Sequence, residues 1–87
     1  MYSDEYRHSL EKKFKKLANK NKKQLEIIYK KIEEVLNNPE HYKNLRSPLQ
    51  HLKAVHIDTS FVLTFSINEN TKTVIFEDYD HHDNIYI

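Results

Sequence analysis

Two sets of hydrophobic residues at helical spacing dominate the first half of the chain. The first recurs at i, i+4 and i+7 with lysines on the other faces, and it consists of Leu10, Phe14 and Leu17. The second follows the polar segment 19–21 and consists of Leu25, Ile28, Ile32, Val35 and Leu36. Pro39 ends it, because proline disfavours helical conformation in the preceding residue. The pattern predicts an antiparallel hairpin of two helices, with Ser9 as the N-cap of the first.

From residue 52 onwards the hydrophobic spacing changes to two, which is typical of β-strands. Segment 52–57 alternates, and after a polar break the clearest alternation consists of Phe61, Leu63, Phe65 and Ile67. A hairpin loop at 68–71 leads into a third strand over 72–79. Three sequential strands with short loops predict an antiparallel meander. We also expect a short opening strand over residues 2–7.

These elements predict one α+β domain over residues 1–87. An amphipathic helix must bury its apolar stripe against a partner, and the sheet is the partner available. We therefore expect the helical hairpin, preceded by the short strand, to pack on a three- to four-stranded antiparallel sheet.

The composition excludes several classes of protein. The chain has neither cysteine nor glycine, which excludes disulfide scaffolds, thiolate zinc sites, cysteine nucleophiles and glycine-rich phosphate-binding loops. No apolar run approaches the ~18 residues of a membrane span, and the N-terminus lacks the layout of a secretory signal. We therefore expect a cytoplasmic protein without a membrane partner. Turns with positive φ must use Asn or Asp, and asparagines cluster at the predicted breaks.

The net charge of +1 conceals a strong asymmetry. Residues 1–53 carry 13 basic and 7 acidic side chains, whereas residues 54–87 carry 1 and 6. Residues 7–31 alone carry 10 basic and 2 acidic side chains. Such a basic segment is compatible with a polyanionic partner such as RNA, and equally with lysines that only solvate exposed helices.

The segment Asp80–Tyr86, with the sequence DHHDNIY, concentrates groups that can donate and accept protons. Three interpretations remain open: metal binding, capping of the last strand, and catalysis, since imidazole exchanges protons near neutral pH. Neighbouring residues of an extended chain point to opposite faces, so His81 and His82 are not expected to share one ion. We predict no metal and no cofactor.

A second polar cluster lies on and around the first strand of the meander. Lys53 and His56 are on the strand, Asp58 follows it, and Arg46 lies in the preceding loop. We expect this strand and the C-terminal tail to converge on one open face of the sheet. Two alternatives remain: a buried, neutral His56 beside apolar neighbours, and ordinary surface roles for the two cations.

Several stretches, in this order along the chain, resemble the RelE/ParE superfamily of bacterial and archaeal toxins. They are Phe14-Lys15-Lys16-Leu17, Leu36-Asn37-Asn38-Pro39, Leu45-Arg46-Ser47-Pro48-Leu49, Val55-His56-Ile57, Ser60-Phe61-Val62-Leu63-Thr64-Phe65 and the closing His82-Asp83-Asn84-Ile85-Tyr86. The resemblance covers nearly the whole chain, and its histidines are most similar to the YafQ-like branch and archaeal RelE proteins.

The resemblance implies the toxin of a toxin–antitoxin module, a ribosome-dependent mRNA endonuclease whose partners are mRNA, the ribosome and a cognate antitoxin. It implies His56 and His82 as the acid/base pair and Tyr86 as the terminal catalytic aromatic. The cations expected to bind RNA are Arg46, Lys53, Lys12 and Lys16, and the expected auxiliary residues are Asp58, His81 and Asp83. Two alternatives are a non-nuclease, ParE-like toxin that binds a protein such as gyrase, and a catalytically silent antitoxin-binding module.

Overall fold

The structure, a computed structural model, describes residues 1–85. Its elements are β1 (Ser3–Tyr6), α1 (His8–Lys20), α2 (Lys22–Asn37), a 3₁₀ turn (Pro39–His41), β2 (Lys53–Ile57), β3 (Phe61–Asn68), β4 (Thr73–His81) and the single turn α3 (His82–Ile85). Within this part of the chain, no helix has the length and apolarity to cross a bilayer.

The predicted helical hairpin is confirmed, but α1 begins earlier than its expected cap. Its N-cap is Arg7, which makes no side-chain capping bond, and Ser9 already lies within the helix. The backbone nitrogen of Arg7 instead donates to Phe76 O at 3.0 Å, so strand pairing continues up to the first helical residue. Asn21 separates the helices: its backbone nitrogen donates to Leu17 O at 2.7 Å, and its side chain accepts from Gln24 N.

The sheet has the strand order β1-β4-β3-β2. The predicted meander is confirmed, because β2 pairs antiparallel with β3 and β3 antiparallel with β4. The opening strand also forms, but β1 runs parallel to β4. The sheet is therefore mixed rather than antiparallel throughout. The connection between this parallel pair contains the helical hairpin and the strands β2 and β3.

The hydrophobic core lies between the helical hairpin and one face of the sheet. Its largest fully buried members are Phe65, Phe76, Leu10, Ile28, Ile57 and Leu63. One polar pair crosses this core, because Gln24 Nε2 donates to the phenol oxygen of Tyr79 at 2.9 Å. Burial of the phenol raises the pKa of Tyr79. The opposite face of the sheet is thus the face on which a site can form.

Among the described residues, positive φ occurs at Asp58 (57°) and Lys72 (51°). Asp58 agrees with the expectation that Asn or Asp takes such positions, whereas Lys72 does not. The asparagines at the helix ends have other roles, since Asn21 and Asn38 have φ of −154° and −155°. Asp58 turns the chain between β2 and β3, and this turn lies at the end of the sheet where the C-terminal tail arrives.

Candidate active site

The alternation of β2 places His56 on the face of the sheet opposite the helices. Val55 and Ile57 are buried in the core, whereas His56 is exposed. Adjacent residues of a strand point to opposite faces. The alternative of a buried, neutral His56 is therefore wrong, and its imidazole is accessible to a ligand.

A cavity of about 760 Å³ lies where His56 emerges. The loop after the 3₁₀ turn forms most of its wall, and Ile85 from the C-terminal turn completes it. Among the described residues, the lining consists of His41, Tyr42, Lys43, Asn44, Leu45, Arg46, Ser47, Pro48, Leu49, Ala54, His56 and Ile85. Its volume lies within the range of small-ligand sites, and its described lining contains two cations and two histidines but no carboxylate. The cavity is suited to an anionic ligand.

Arg46 and His56 are the two predicted site residues that meet in this cavity. Arg46 is exposed in the loop and His56 is exposed on β2, and both line the same space. Sequence reasoning missed two further members of the wall, His41 and Lys43. Their position close before Arg46, in a segment without regular periodicity, is the only sequence signal that they carry.

Lys53 holds the cavity loop from the other side of β2. Lys53 lies on the same face of β2 as Val55 and Ile57, which is opposite to the face of His56. Its Nζ donates to Tyr42 O at 2.9 Å and to Asn44 Oδ1 at 3.0 Å. The structure thus assigns the ammonium group of Lys53 a part in positioning the loop, and its contact with RNA stays a prediction.

Two further hydrogen bonds to backbone oxygens hold the rest of the loop. Asn44 Nδ2 donates to Gln50 O at 2.7 Å. Leu45 N donates to Leu52 O at 2.8 Å, and the Leu45 side chain is buried. These bonds fix both ends of the segment that carries Arg46.

The C-terminal turn is anchored at the same end of the sheet. His82 N donates to Ser60 O at 2.8 Å, in the turn between β2 and β3. Asp80 Oδ1 accepts from His81 N at 2.7 Å and from Asn84 Nδ2 at 3.0 Å. The bonds from Asn84 and from the His81 backbone lower the pKa of Asp80. The turn that carries His82 is therefore braced on two sides.

Strand register relates the two candidate catalytic histidines. His56 pairs with Val62, and Val62 pairs on its other side with Asp80. Cross-strand partners share a face, so His56 and Asp80 lie on the same face, about 10 Å apart across two strand spacings. His82 follows two residues after Asp80 and is exposed. Among the described residues it is not part of the cavity wall, whereas Ile85 from the same turn is.

The remaining predicted residues occupy several environments. His81 is half-buried and packs edge-on against Phe61, with ring centroids 5.6 Å apart. Asp83 is exposed and lies 2.9 Å from His82 Nδ1. Lys12 and Lys16 are exposed on α1 and belong to the helical layer rather than to the cavity wall. Tyr86 lies outside the described residues.

A cation that the sequence did not single out fixes the end of β4. Lys13 on α1 donates to Asp78 Oδ1 at 2.7 Å and to Tyr79 O at 2.9 Å. The same ammonium lies 3.7 Å from Asp80 Oδ2. β1 pairs only with the first half of β4, so Lys13 occupies the edge that β1 leaves open.

The comparisons with known proteins identify the family. No model of a known protein family matches the chain. A protein of Methanocaldococcus jannaschii assigned as toxin RelE4 is 59% identical over 86 residues, which is 99% of this chain and 92% of the relative. The chain belongs to the RelE family of toxins.

Solved structures agree with this assignment at the level of the fold. YafQ from E. coli superposes with a TM-score of 0.73 and 20% identity over the whole of both chains. The toxin–antitoxin complex RelBE from E. coli gives a TM-score of 0.76 and 19% identity, covering 93% of this toxin and 96% of that chain. The predicted superfamily and fold are therefore confirmed.

Proposed function

We propose that this RelE-family toxin is an endoribonuclease that cuts ribosome-bound mRNA at the cavity containing His56 and Arg46. The observation that carries the proposal is the meeting of an exposed imidazole and a guanidinium in one cavity, opposite the hydrophobic core. An RNA phosphate needs a cation beside it and a group that moves protons, and these two side chains meet both needs.

The chemistry follows from the nature of RNA. The 2′-hydroxyl attacks the adjacent phosphorus, a route that DNA lacks. One group takes the 2′-hydroxyl proton, another protonates the departing 5′-oxygen, and a cation stabilises the charge on the phosphate. We assign proton transfer to His56 and His82, phosphate stabilisation to Arg46, and stacking on a base to Tyr86.

His82 completes the site by approaching from the C-terminal turn. Its backbone is held against Ser60, next to the turn in which β2 ends. Both imidazoles must reach one phosphate, because the 2′-oxygen that loses a proton and the 5′-oxygen that gains one are bonded to the same phosphorus. RNA bound along this end of the sheet would place the scissile phosphate between the cavity and the exposed face of His82.

Primer extension on translated mRNA tests the proposal. New cuts within codons are expected soon after the intact toxin is produced in a bacterial host, and none with His56→Ala or His82→Ala. His8→Ala is the matched control, because His8 is an exposed histidine at the start of α1. Folded, expressed toxin that produces no cuts overturns the proposal. Growth arrest that persists in both histidine variants indicates a protein target such as gyrase instead.

We further propose a cognate antitoxin as the protein partner. The E. coli RelBE toxin of the same fold is found in a toxin–antitoxin complex. In this toxin, the basic segment 7–31 and the exposed Tyr29 on α2 offer charge and apolar area to an acidic, amphipathic partner. Co-expression with a short acidic protein encoded beside the toxin gene tests this. A stable complex that relieves growth arrest is expected, and two separately purifying proteins would contradict it.

A further inference from the structure

We propose that His81, His82 and Asp83 form a binding site for a divalent transition-metal ion such as Zn²⁺. Each of the three residues offers one ligand atom, and these atoms all lie within 4.8 Å of one another. Two imidazoles and a carboxylate are a donor set that suits zinc.

The end of β4 brings the two adjacent imidazoles together. Along a continuing strand they would point to opposite faces, which is why the sequence predicts no shared ion. However, β4 ends at His81 and a helical turn begins at His82, so the alternation stops between them. The two ring centroids lie 5.5 Å apart at an interplanar angle of 81°.

The Asp83 carboxylate lies between the two rings. Its Oδ1 is 2.9 Å from His82 Nδ1, and its Oδ2 is 3.5 Å from His81 Nδ1. The backbone nitrogen of Asp83 donates to His81 Nδ1 at 3.2 Å, so the lone pair of this ring nitrogen would exchange that hydrogen bond for the ion on binding.

The surrounding turn holds the backbone of the two histidines in place. Asp80 braces the backbone of His81, and Ser60 O fixes the backbone of His82. The side chains themselves are 41%, 47% and 73% exposed for His81, His82 and Asp83. Tetrahedral zinc with bonds of ~2.0–2.1 Å needs ligand atoms about 3.3 Å apart. Exposed side chains can close that gap by rotation, and the open side leaves a fourth position to water.

The donor set also predicts selectivity. Imidazole nitrogens favour Zn²⁺, Ni²⁺ and Cu²⁺, whereas Mg²⁺ prefers oxygen ligands and keeps its waters. We therefore expect binding of Zn²⁺ and none of Mg²⁺ at comparable concentrations.

Binding of zinc at this site is expected to affect RNA cleavage, an expectation that rests on the proposed nuclease function. An ion bound to His82 occupies the lone pair with which that residue would move a proton. Zinc is therefore expected to inhibit RNA cleavage, and a chelator to restore it.

Isothermal titration of the untagged, full-length toxin with zinc chloride tests the site. The expected result is one ion per chain, with affinity reduced about tenfold or more in His81→Ala and Asp83→Asn and unchanged in His8→Ala. Magnesium chloride is the second control, and circular dichroism verifies that the variants fold. Absence of zinc binding, or affinity unchanged in both cluster variants, overturns the site.

Cleavage assays separate the two proposals. Zinc binding by a toxin that cuts no RNA would leave the site standing and reject the nuclease. If the intact toxin cuts RNA, and zinc neither binds to the toxin nor slows cleavage, the metal site is rejected and the nuclease proposal stands.

Discussion

The backbone nitrogen of His82 lies 2.8 Å from the carbonyl oxygen of Ser60 and donates to it. This bond joins the C-terminal turn to the turn between β2 and β3, although 22 positions separate the two residues in the sequence. Because β2 ends at this turn, the strand that carries His56 and the turn that carries His82 are fixed at one end of the sheet. Two histidines that are distant in the chain thereby lie at the same end of the sheet.

Asp80 controls how firmly the C-terminal turn is held. Asp80→Ala removes the oxygen that accepts from His81 N and from Asn84 Nδ2. We expect faster amide hydrogen exchange over residues 82–85 and a lower cleavage rate, with the core still folded. Asp80→Asn keeps an acceptor oxygen and is expected to retain most of the protection. Equal exchange in Asp80→Ala and the wild type would show that the turn is held by other groups.

Arg46 and Lys53 are both cations near the cavity, but they are expected to respond differently to substitution. Arg46→Met should weaken RNA binding and reduce the magnitude of the salt-dependence slope by about one, because one phosphate contact is lost. Lys53→Met removes bonds to Tyr42 O and Asn44 Oδ1. We expect it to lower the free energy of unfolding by about 1 kcal/mol and to change the salt slope little. Binding titrations at several salt concentrations, with urea denaturation, distinguish the two roles. If Lys53→Met also reduced the salt-dependence slope of RNA binding by a full unit, Lys53 would contact a phosphate directly.

The buried pair of Gln24 and Tyr79 is expected to contribute measurably to stability. Tyr79→Phe leaves Gln24 Nε2 without its acceptor, and we expect unfolding free energy to fall by about 1–3 kcal/mol. The double variant Gln24→Leu/Tyr79→Phe removes both polar partners and should recover part of that loss. Urea denaturation of the wild type, of Gln24→Leu, of Tyr79→Phe and of the double variant measures the coupling free energy between the two side chains. A double variant that loses the sum of both single effects would indicate that the bond contributes nothing.

Glu77 makes stability depend on pH in the acid range. Burial alone would raise its pKa, but hydrogen bonds from Arg7 and Ser66 outweigh it, and the net pKa lies below the ordinary 4.5. The unfolded chain therefore binds this proton more readily, so the contribution is present above pH 4.5 and disappears as the pH falls through the lowered value. Between pH 6 and pH 3, the free energy of unfolding should fall by about 1 kcal/mol less in Glu77→Gln than in the wild type. Identical slopes between pH 3 and 6 would contradict this.

The helical hairpin and the meander were predictable because their hydrophobic spacing is clear. β1 was harder: its four residues are mostly exposed, so no pattern indicated the parallel pairing with β4. The N-cap at Ser9 was wrong because a tertiary bond, from Arg7 N to Phe76 O, sets where the strand gives way to the helix.

Two of the residues that the sequence singled out, Arg46 and His56, line one cavity, but the geometry around them was harder to predict. Both alternating sets of β2 mix polar and apolar residues, so the sequence did not decide which face His56 takes. One of the two loop contacts of Lys53 is with a backbone oxygen, and no residue pattern encodes such a partner. The proximity of His81 and His82 depends on where β4 ends, which is a property of the sheet rather than of the tail sequence.

Cleavage of mRNA on programmed ribosomes tests most directly whether the two histidines act at one site. We predict that His56→Ala and His82→Ala each slow single-turnover cleavage about 10²- to 10⁴-fold, and that the double variant is little slower than either, because the pair acts as a unit. His8→Ala should cut at the wild-type rate, and the upstream product should end in a 2′,3′-cyclic phosphate. Wild-type cleavage rates in both single variants would contradict the assignment of proton transfer to His56 and His82.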